Sequence, residues 1–158
     1  MAAPASARTS TPPVLALLEQ ELTLLARHQL SSNLHDPDLG LDRSGYQLLS
    51  RLELGPLSLG GLAEAFKLDV STVNRQIAAL RRKDLVERIP DPAGGLAKLL
   101  RPTRQGRALL GKDRTVRHGH VAQVIADWDP ADVTRLQELL ALFNTSIENL
   151  EGRPWPRS

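Results

Sequence analysis

The chain has 158 residues and a formal net charge of +2, with 41% apolar and only 3% aromatic residues. This length is typical of one domain, or of one domain with an added oligomerisation element. The chain contains no cysteine, which excludes disulfides and thiolate metal sites and fits a reducing cytosol. With so few aromatic residues, Leu, Ala, Val and Ile must form most of the core.

The first thirteen residues are small, polar and rich in proline, and they lack the apolar segment of a signal peptide. We therefore expect residues 1–13 to form a disordered N-terminus. No apolar run elsewhere approaches the ~20 residues needed to span a bilayer. The sequence thus predicts a cytoplasmic protein with no membrane partner.

Apolar residues recur at three- and four-residue spacing in six stretches, which predicts six helices. Residues that can cap a helix precede most of them, namely Asp42, Ser58, Asp69, Thr103 and Asp129. The last of these is followed by a proline, which suits the first position of a helix. The predicted helices cover residues 14–34, 43–53, 59–66, 70–83, 104–126 and 130–150.

A short hairpin is predicted between the fourth and fifth helices. The segments LVERIP and AKLLRP flank a turn-forming stretch, with the tip at residues 92–95. The third and fourth helices are joined by a Lys-Leu-Asp turn, and together with the hairpin they form the pattern of a winged helix-turn-helix. The expected fold class is mainly α with a small β-hairpin wing.

Positive charge is concentrated in this motif. From Ser71 to Arg107 there are nine Lys or Arg and three Asp or Glu, a balance of +6, whereas the whole chain carries +2 and the remainder therefore −4. A basic element on a mildly acidic body is the electrostatic pattern of a nucleic-acid-binding protein. Small and polar side chains near the start of the fourth helix suit contacts with base edges in the major groove. We predict base or backbone contacts from Ser71, Thr72, Asn74, Arg75 and Gln76, and phosphate contacts from Arg81, Arg82, Lys83, Arg101 and Arg104.

The run STVNRQIAALRRKDLVERIPDP, followed by LLRPTRQG, resembles the MarR family of bacterial transcriptional regulators. That family has a polar recognition helix ending in Leu-x-x-x-Gly-Leu-Val-x-Arg, here residues 80–88. A wing that opens with Asp-Pro follows, here at Asp91. A Leu-Thr-x-x-Gly sequence then starts the next helix, here Pro-Thr-Arg-Gln-Gly at residues 102–106. The resemblance covers residues 14–150.

This resemblance implies a homodimer that binds a pseudo-palindromic operator in double-stranded DNA, with a small-molecule effector as a further partner. The implied mode of action is repression that ends when the ligand biases the spacing of the DNA-binding lobes. No residue indicates where the ligand binds. The implied organisation is an N-terminal dimerisation helix and loop at 14–41, a winged helix-turn-helix DNA-binding lobe at 42–102, C-terminal dimerisation helices at 103–151 and a flexible tail at 152–158.

The sequence departs from the family pattern in and before the wing. Asp84 stands where the family has glycine. At the wing tip the family carries Asp and an Arg that reaches the minor groove, but this chain has Gly94, Gly95 and Leu96. We expect Lys98, the nearest cation, to contact DNA, with a wing that contacts only phosphates or is mobile. The alternative is a MarR-like dimer that binds a ligand or a protein and has weak or lost specific DNA binding.

The sequence gives little support to other chemistry. It contains no Gly-x-Ser-x-Gly, phosphate-loop or Gly-x-Gly-x-x-Gly motif, so we expect neither an enzyme nor a bound cofactor. His118 and His120 are two residues apart, a spacing that points their side chains to different sides of a helix. A metal grip formed by two histidines on one helix needs a spacing of four. We therefore predict no catalytic and no metal-binding residues.

Overall fold

The structure of the protein, a computed structural model, describes residues 13–28 and 37–157. These fall into two compact units, of which one holds helix α1 (Pro13–His28) and the other holds residues 37–157. Helix α1 begins one residue inside the segment predicted to be disordered, because proline suits the first helical position. The predicted disorder of residues 1–12 and the predicted helix over residues 29–34 lie outside the described residues.

The second unit contains five helices and a two-stranded hairpin in its described part. The predicted bounds of the second and third helices are confirmed at both ends, and the others are correct to within two residues. The fold class predicted from the sequence is therefore confirmed. The elements are α2 (Arg43–Glu53), α3 (Leu59–Phe66), α4 (Val70–Arg82), β1 (Val86–Ile89), β2 (Leu99–Pro102), α5 (Arg104–Val124) and α6 (Pro130–Glu151).

The predicted capping residues explain where these helices begin. The side chains of Asp42, Ser58, Thr103 and Asp129 each accept a hydrogen bond from a backbone N–H in the first turn of the helix that follows. The expectation for Asp69 is wrong in part, because its carboxylate makes no capping hydrogen bond. The N–H that it would bind, in the third residue of α4, already donates to the Asp69 carbonyl at 3.0 Å.

The hairpin is antiparallel, and its register pairs Val86 with Pro102 and Ile89 with Leu99. A third segment joins it, which the sequence analysis did not predict. Leu57 and Leu100 exchange two backbone hydrogen bonds of 3.2 and 2.8 Å. The base of the wing is thereby attached to the segment that connects α2 and α3.

The core lies between α2, α3, α4 and the hairpin. Helix α4 contributes Val73, Ile77 and Leu80, which recur at helical spacing and are all buried. Helix α2 contributes Leu48, Leu49 and Leu52, which are buried as well. The full buried apolar set is Leu41, Leu48, Leu49, Leu52, Leu62, Ala63, Val73, Ile77, Leu80, Leu85, Val86, Leu100 and Leu110.

The described residues contain neither a helix suited to cross a membrane nor a cluster of side chains suited to bind a metal. Within residues 13–28 and 37–157, no helix combines the length and the apolar character that a membrane crossing requires. Over the same ranges, no three His, Asp or Glu side chains are grouped closely enough to hold a metal ion.

Candidate nucleic-acid interface

Helices α3 and α4 meet through a short turn whose geometry is set by Lys67. This residue ends α3 in the left-handed region, with a φ of 54°. The backbone N–H of Leu68 then donates to the carbonyl of Ala63 at 2.9 Å, which closes the helix end. The chain leaves α3 in a new direction and enters α4 at Val70. The predicted helix-turn-helix is therefore present in the structure.

One side of α4 carries the five residues predicted to contact bases. Ser71, Asn74 and Arg75 are exposed, whereas Thr72 and Gln76 are half-buried. Atom Nη2 of Arg75 lies 3.4 Å from the hydroxyl of Thr72, one turn earlier on the same side of the helix. These five residues form a polar surface without large apolar side chains, which we call the α4 surface.

Gln76 lies at the edge of the α4 surface, where it borders a groove. A cavity of about 280 Å³ lies between α4 and the first turn of α2. Gln76, Arg75 and Lys83 line it from α4, and Asp42 and Ser44 line it from α2. The beginning of α2 therefore adjoins the α4 surface.

Three cations extend the α4 surface at the end of the helix. Arg81 and Arg82 lie in its last turn, and Lys83 is its C-cap residue. All three are exposed, and none forms an ion pair with a carboxylate of the described residues. Positive charge at this end is favoured by the helix dipole in any protein. Here it is also free to attract an anionic partner.

The wing strands hold Arg101 in a different situation. Its Nε atom donates to Oε1 of Glu87 at 2.8 Å, directly across the hairpin. Both side chains are about half exposed, so the pair is solvated. A phosphate contact was predicted for Arg101 from the sequence. Its pairing with Glu87 was not predicted, because the pairing depends on strand register. A phosphate would have to share or replace this carboxylate.

The wing tip is a folded turn organised by Asp91. One of its carboxylate oxygens accepts the N–H of Ala93 at 2.9 Å, and its carbonyl accepts the N–H of Gly94 at 3.0 Å. Gly94 has a φ of 81°, which favours glycine. A Cβ added to Gly95 would lie 2.2 Å from the other carboxylate oxygen of Asp91. The turn therefore depends on Gly94, whereas a side chain at Gly95 would require the Asp91 carboxylate to move. The next residue, Leu96, is fully exposed.

The sequence comparisons agree with this geometry. Residues 39–95 match the model of the MarR family. The uncharacterised HTH-type transcriptional regulator YxaD of Bacillus subtilis (strain 168) is 38% identical over 133 residues, covering 83% of this chain and 93% of that protein. The chain belongs to the MarR family. The resemblance noted in the recognition helix, wing and following helix is thus confirmed.

Solved structures of MarR proteins share the fold. A MarR family protein from Bacillus stearothermophilus superposes with a TM-score of 0.71 at 19% identity, covering 85% of this chain and 95% of that one. The apo form of wild-type MarR from E. coli superposes with a TM-score of 0.65 at 18% identity, covering 85% and 98%. At such low identity these likenesses concern the fold alone.

The structure explains two positions of the MarR pattern. Asp84 has a φ of 56°, in the left-handed region where the family uses glycine and where Asp is better tolerated than most residues. The hydroxyl of Thr103 donates to the Asp84 carbonyl at 2.6 Å and accepts the N–H of Gly106 at 3.0 Å. A Cβ on Gly106 would lie 2.1 Å from the carbonyl oxygen of Leu85. The backbone conformation of Asp84 and the small size of Gly106, linked by the hydroxyl of Thr103, therefore hold the start of α5 against the base of the wing.

Two buried charges of α5 contact α2 and the loop before it, and neither was predicted from the sequence. Asp113 is fully buried and accepts the backbone N–H groups of Gly40 and Leu41 at 2.9 and 2.8 Å. The guanidinium of Arg117 lies 4.1 Å from the ring centroid of Tyr46. Their signal in the sequence is an Asp and an Arg four residues apart, a spacing that is also common on exposed helices. They fasten α2 and the loop before it to α5.

An ion pair lies beside this buried pair. Arg114 donates from Nη2 to Oε2 of Glu53 at 2.7 Å, which joins α5 to the last turn of α2. The hydrogen bond to Glu53 is the largest influence on Arg114 and raises its pKa above the ordinary value. Burial lowers this pKa, and a hydrogen bond with Tyr46 raises it. Helix α5 thus holds α2 at several points along its length.

Proposed function

We propose that the protein is a sequence-specific DNA-binding transcriptional regulator that acts as a homodimer on a pseudo-palindromic operator. The observation that carries this proposal is the α4 surface, which is polar, accessible and continued by the exposed cations Arg81 and Arg82. Proteins with a helix-turn-helix place this second helix in the major groove. Membership of the MarR family supports the same reading.

The residues of α4 and the wing have different roles in this proposal. Arg75 and Gln76 suit bidentate contacts with purine edges, and Ser71, Thr72 and Asn74 suit single contacts with bases or backbone. Phosphate contacts fix the register of the protein on the duplex without reading sequence. We assign these contacts to Arg81, Arg82, Lys98 and Arg101.

The proposed homodimer rests on the uncovered apolar side of α6. No residue of this helix is buried within the chain, and a row of large apolar side chains is exposed along it. In the unpartnered chain Leu142 is 65% and Leu150 is 89% exposed, which is unusual for so long an amphipathic helix. The exposed set is Leu136, Leu139, Leu140, Leu142, Phe143, Ile147 and Leu150.

A second copy of the chain fits this surface, since MarR family regulators function as dimers. The dimerisation regions would be residues 14–41 and 103–151, and the DNA-binding lobe would be residues 42–102. Two lobes would then meet successive major grooves about 34–36 Å apart. Light scattering should give twice the mass of the chain, and Leu139→Glu should reduce it to the mass of one chain.

The sign of regulation and its control follow from the family relationship. The proposal is a cytoplasmic repressor that occupies a promoter and leaves it when a small ligand shifts the population of lobe spacings. Such a ligand must bind the two lobe arrangements with different affinity, because equal affinity would shift nothing. No catalytic role is proposed.

Affinity for DNA as a function of salt tests the proposal. We would footprint the protein on its own upstream region and then titrate the protected fragment and a random duplex. We expect a steep loss of affinity with salt and ~10³-fold preference for the protected fragment. The variant Arg81→Gln/Arg82→Gln should weaken both duplexes, whereas Arg135→Gln on exposed α6 is the matched control. A weak response without salt dependence would contradict the proposal.

A second candidate function is favoured by the wing tip. The glycine turn at Gly94 and Gly95 presents Leu96 where the family has an arginine, as expected of a MarR-like dimer that binds a ligand or a protein and not a specific operator. The variant Leu96→Arg separates the candidates, with Leu96→Gln as its control. If the protein is a DNA-binding regulator, the added cation should raise an existing affinity and steepen its salt slope by ~0.9. If specific binding is lost, neither variant should discriminate between duplexes.

A further inference from the structure

The tail segment (residues 152–157) turns back from the end of α6. Gly152 adopts a φ of 66° and ends the helix in the left-handed conformation. The N–H of Arg153 then donates to the Glu148 carbonyl at 2.9 Å, which is the pattern of a glycine-terminated helix. The structure gives the path of residues 152–157, and the flexibility expected of this tail from the sequence stays a prediction.

Trp155 of the tail segment packs against the corner formed by α2 and α3. Its ring lies 5.3 Å from the ring of Phe66, at an interplanar angle of 73°, which is a favourable edge-to-face arrangement. The guanidinium of Arg51 lies 5.5 Å from the Trp155 ring centroid. Phe66 is the last residue of α3 and Arg51 lies in the last turn of α2. The indole therefore contacts both helices.

Polar contacts hold Trp155 in this position. Glu148 on α6 accepts the backbone N–H of Trp155 at 3.1 Å and two guanidinium bonds from Arg157 at 2.8 and 2.6 Å. The hydrogen bond from Arg157 lowers the pKa of Glu148 from its ordinary value, so the carboxylate is charged at neutral pH. The described tail is thus attached to Glu148 of α6 at the backbone of Trp155 and again at Arg157, two residues further along.

Further contacts reach the turn that leads into α4. Atom Nη1 of Arg153 donates to the carbonyl of Glu64 at 3.0 Å, where α3 ends. Lys67 forms an ion pair with Glu151 in the last turn of α6. Lys67 is also the residue whose left-handed conformation redirects the chain from α3 to α4. The end of α6 and the tail segment therefore bear directly on the helix-turn-helix.

We propose that Trp155 is a positioning residue that clamps the helix-turn-helix to the end of α6 and so sets the orientation of α4 relative to that helix. The clamp rests on the proposed function, because an orientation of α4 matters for an operator only if α6 holds two lobes in a dimer. A tail without this role could pack on any surface of the lobe. Here its contacts converge on the end of α3 and on the turn before α4.

Hydrogen exchange and DNA affinity test the clamp in the full-length protein. In Trp155→Ala we expect the amide hydrogens of Lys67 and Leu68 to exchange at least tenfold faster, and the affinity for the footprinted operator to fall about tenfold, as expected for one aromatic pair and one cation–π contact. The affinity for random duplex and the dimer mass should not change. Trp155→Phe should keep most of the slow exchange and most of the operator affinity, because a phenyl ring can keep the edge-to-face contact.

Two further variants keep the test decisive. Trp128→Ala removes the other tryptophan of the chain, from the turn between α5 and α6, and should leave exchange at Lys67 and Leu68 unchanged. Arg153→Ala removes the contact with the Glu64 carbonyl but keeps the indole, and it should reproduce part of the effect of Trp155→Ala. This second variant serves if Trp155→Ala does not fold.

The outcomes separate the clamp from the proposed function. Unchanged exchange at Lys67 and Leu68 in Trp155→Ala would overturn the clamp whatever the DNA results. Faster exchange with unchanged operator affinity would also overturn it as a positioning residue. If the wild-type protein does not distinguish operator from random duplex, the proposed function fails. In that case the clamp is judged by exchange alone, and a tenfold increase supports it.

Discussion

Helix α4 and the wing are adjacent parts of one motif, but they present very different side chains. The buried side of α4 is fixed by Val73, Ile77 and Leu80, and its other side is polar with exposed cations at the end. The wing is fixed at its base by strand pairing, yet Arg101 is paired with Glu87 and Leu96 stands exposed at the tip. Both parts keep the spacing of the MarR family.

The difference shows that this chain keeps the spacing of the MarR motif in both parts, while the side chains that would contact DNA differ between them. Asp84, Thr103 and Gly106 each have a structural reason at the junction of the wing base with α5, although Asp84 departs from the glycine of the family. The positions that would touch DNA are free to vary separately on the two parts. We therefore assign sequence reading to α4 and only positioning to the wing.

The largest expected effect concerns how firmly each part is anchored. Ile77 in α4 is 1% exposed, so Ile77→Ala should lower the free energy of unfolding by about 2–5 kcal/mol. Ile89 in β1 is half-buried, and the same change there should cost less than about 2 kcal/mol, since less apolar area leaves contact. Urea denaturation of both variants measures the difference. Equal losses would show that the wing is anchored as firmly as α4.

The next effect concerns the junction between the wing base and α5. Gly106→Ala would drive a Cβ into the backbone carbonyl of Leu85, and we expect a loss of about 1–3 kcal/mol in unfolding free energy. Gly111 lies in the same helix with no atom within 4 Å of its added Cβ. Gly111→Ala is therefore the control, and it should stabilise by about 0.5–1 kcal/mol through helix propensity. Thermal unfolding should move in opposite directions for the two variants.

The elements of this fold could be predicted from sequence because their signals are local. Caps such as Asp42 and Ser58, and apolar spacing such as Val73 to Ile77, lie within a few residues of the structure that they determine. The same reasoning failed where the partner is distant in the chain. Asp113 bonds to backbone 72 residues away, and a charged residue on a helix of mixed polarity gives no sign of such burial.

Distance along the chain also explains what was missed at the candidate interface. The pairing of Arg101 with Glu87 depends on strand register, which the hairpin sequence by itself did not predict. A shift of one residue would place Arg101 opposite another side chain. Similarly, Arg153 contacts a carbonyl 89 residues earlier, and no pattern within its own segment indicates that contact.

The third prediction compares the two parts on DNA. Arg75→Ala should cost about 1–3 kcal/mol in binding free energy for the operator and relax the base preference at one position of each half-site. Lys98→Ala should weaken all duplexes alike and reduce the salt slope by about 0.9 per lobe. Binding to a library of operator variants checks both. A change of base preference in Lys98→Ala would mean that the wing reads sequence after all.

The smallest expected effect tests whether the ion pair with Glu87 keeps Arg101 from contacting DNA. Glu87→Gln should release Arg101 and raise the affinity for any duplex by about two- to fivefold, because one more phosphate contact becomes available. The hairpin should lose no more than about 1 kcal/mol, as expected for a solvated pair.

Removing a negative charge near DNA would by itself also raise affinity. We would therefore make Glu87→Gln in an Arg101→Gln background as well, which completes a double-mutant cycle. There the gain from Glu87→Gln should disappear if it acts by releasing Arg101. A gain of the same size in both backgrounds would show that Glu87 acts only through its charge. The pair would then be incidental to DNA binding, and the contrast between the wing and α4 would lie in Gly94, Gly95 and Leu96 alone.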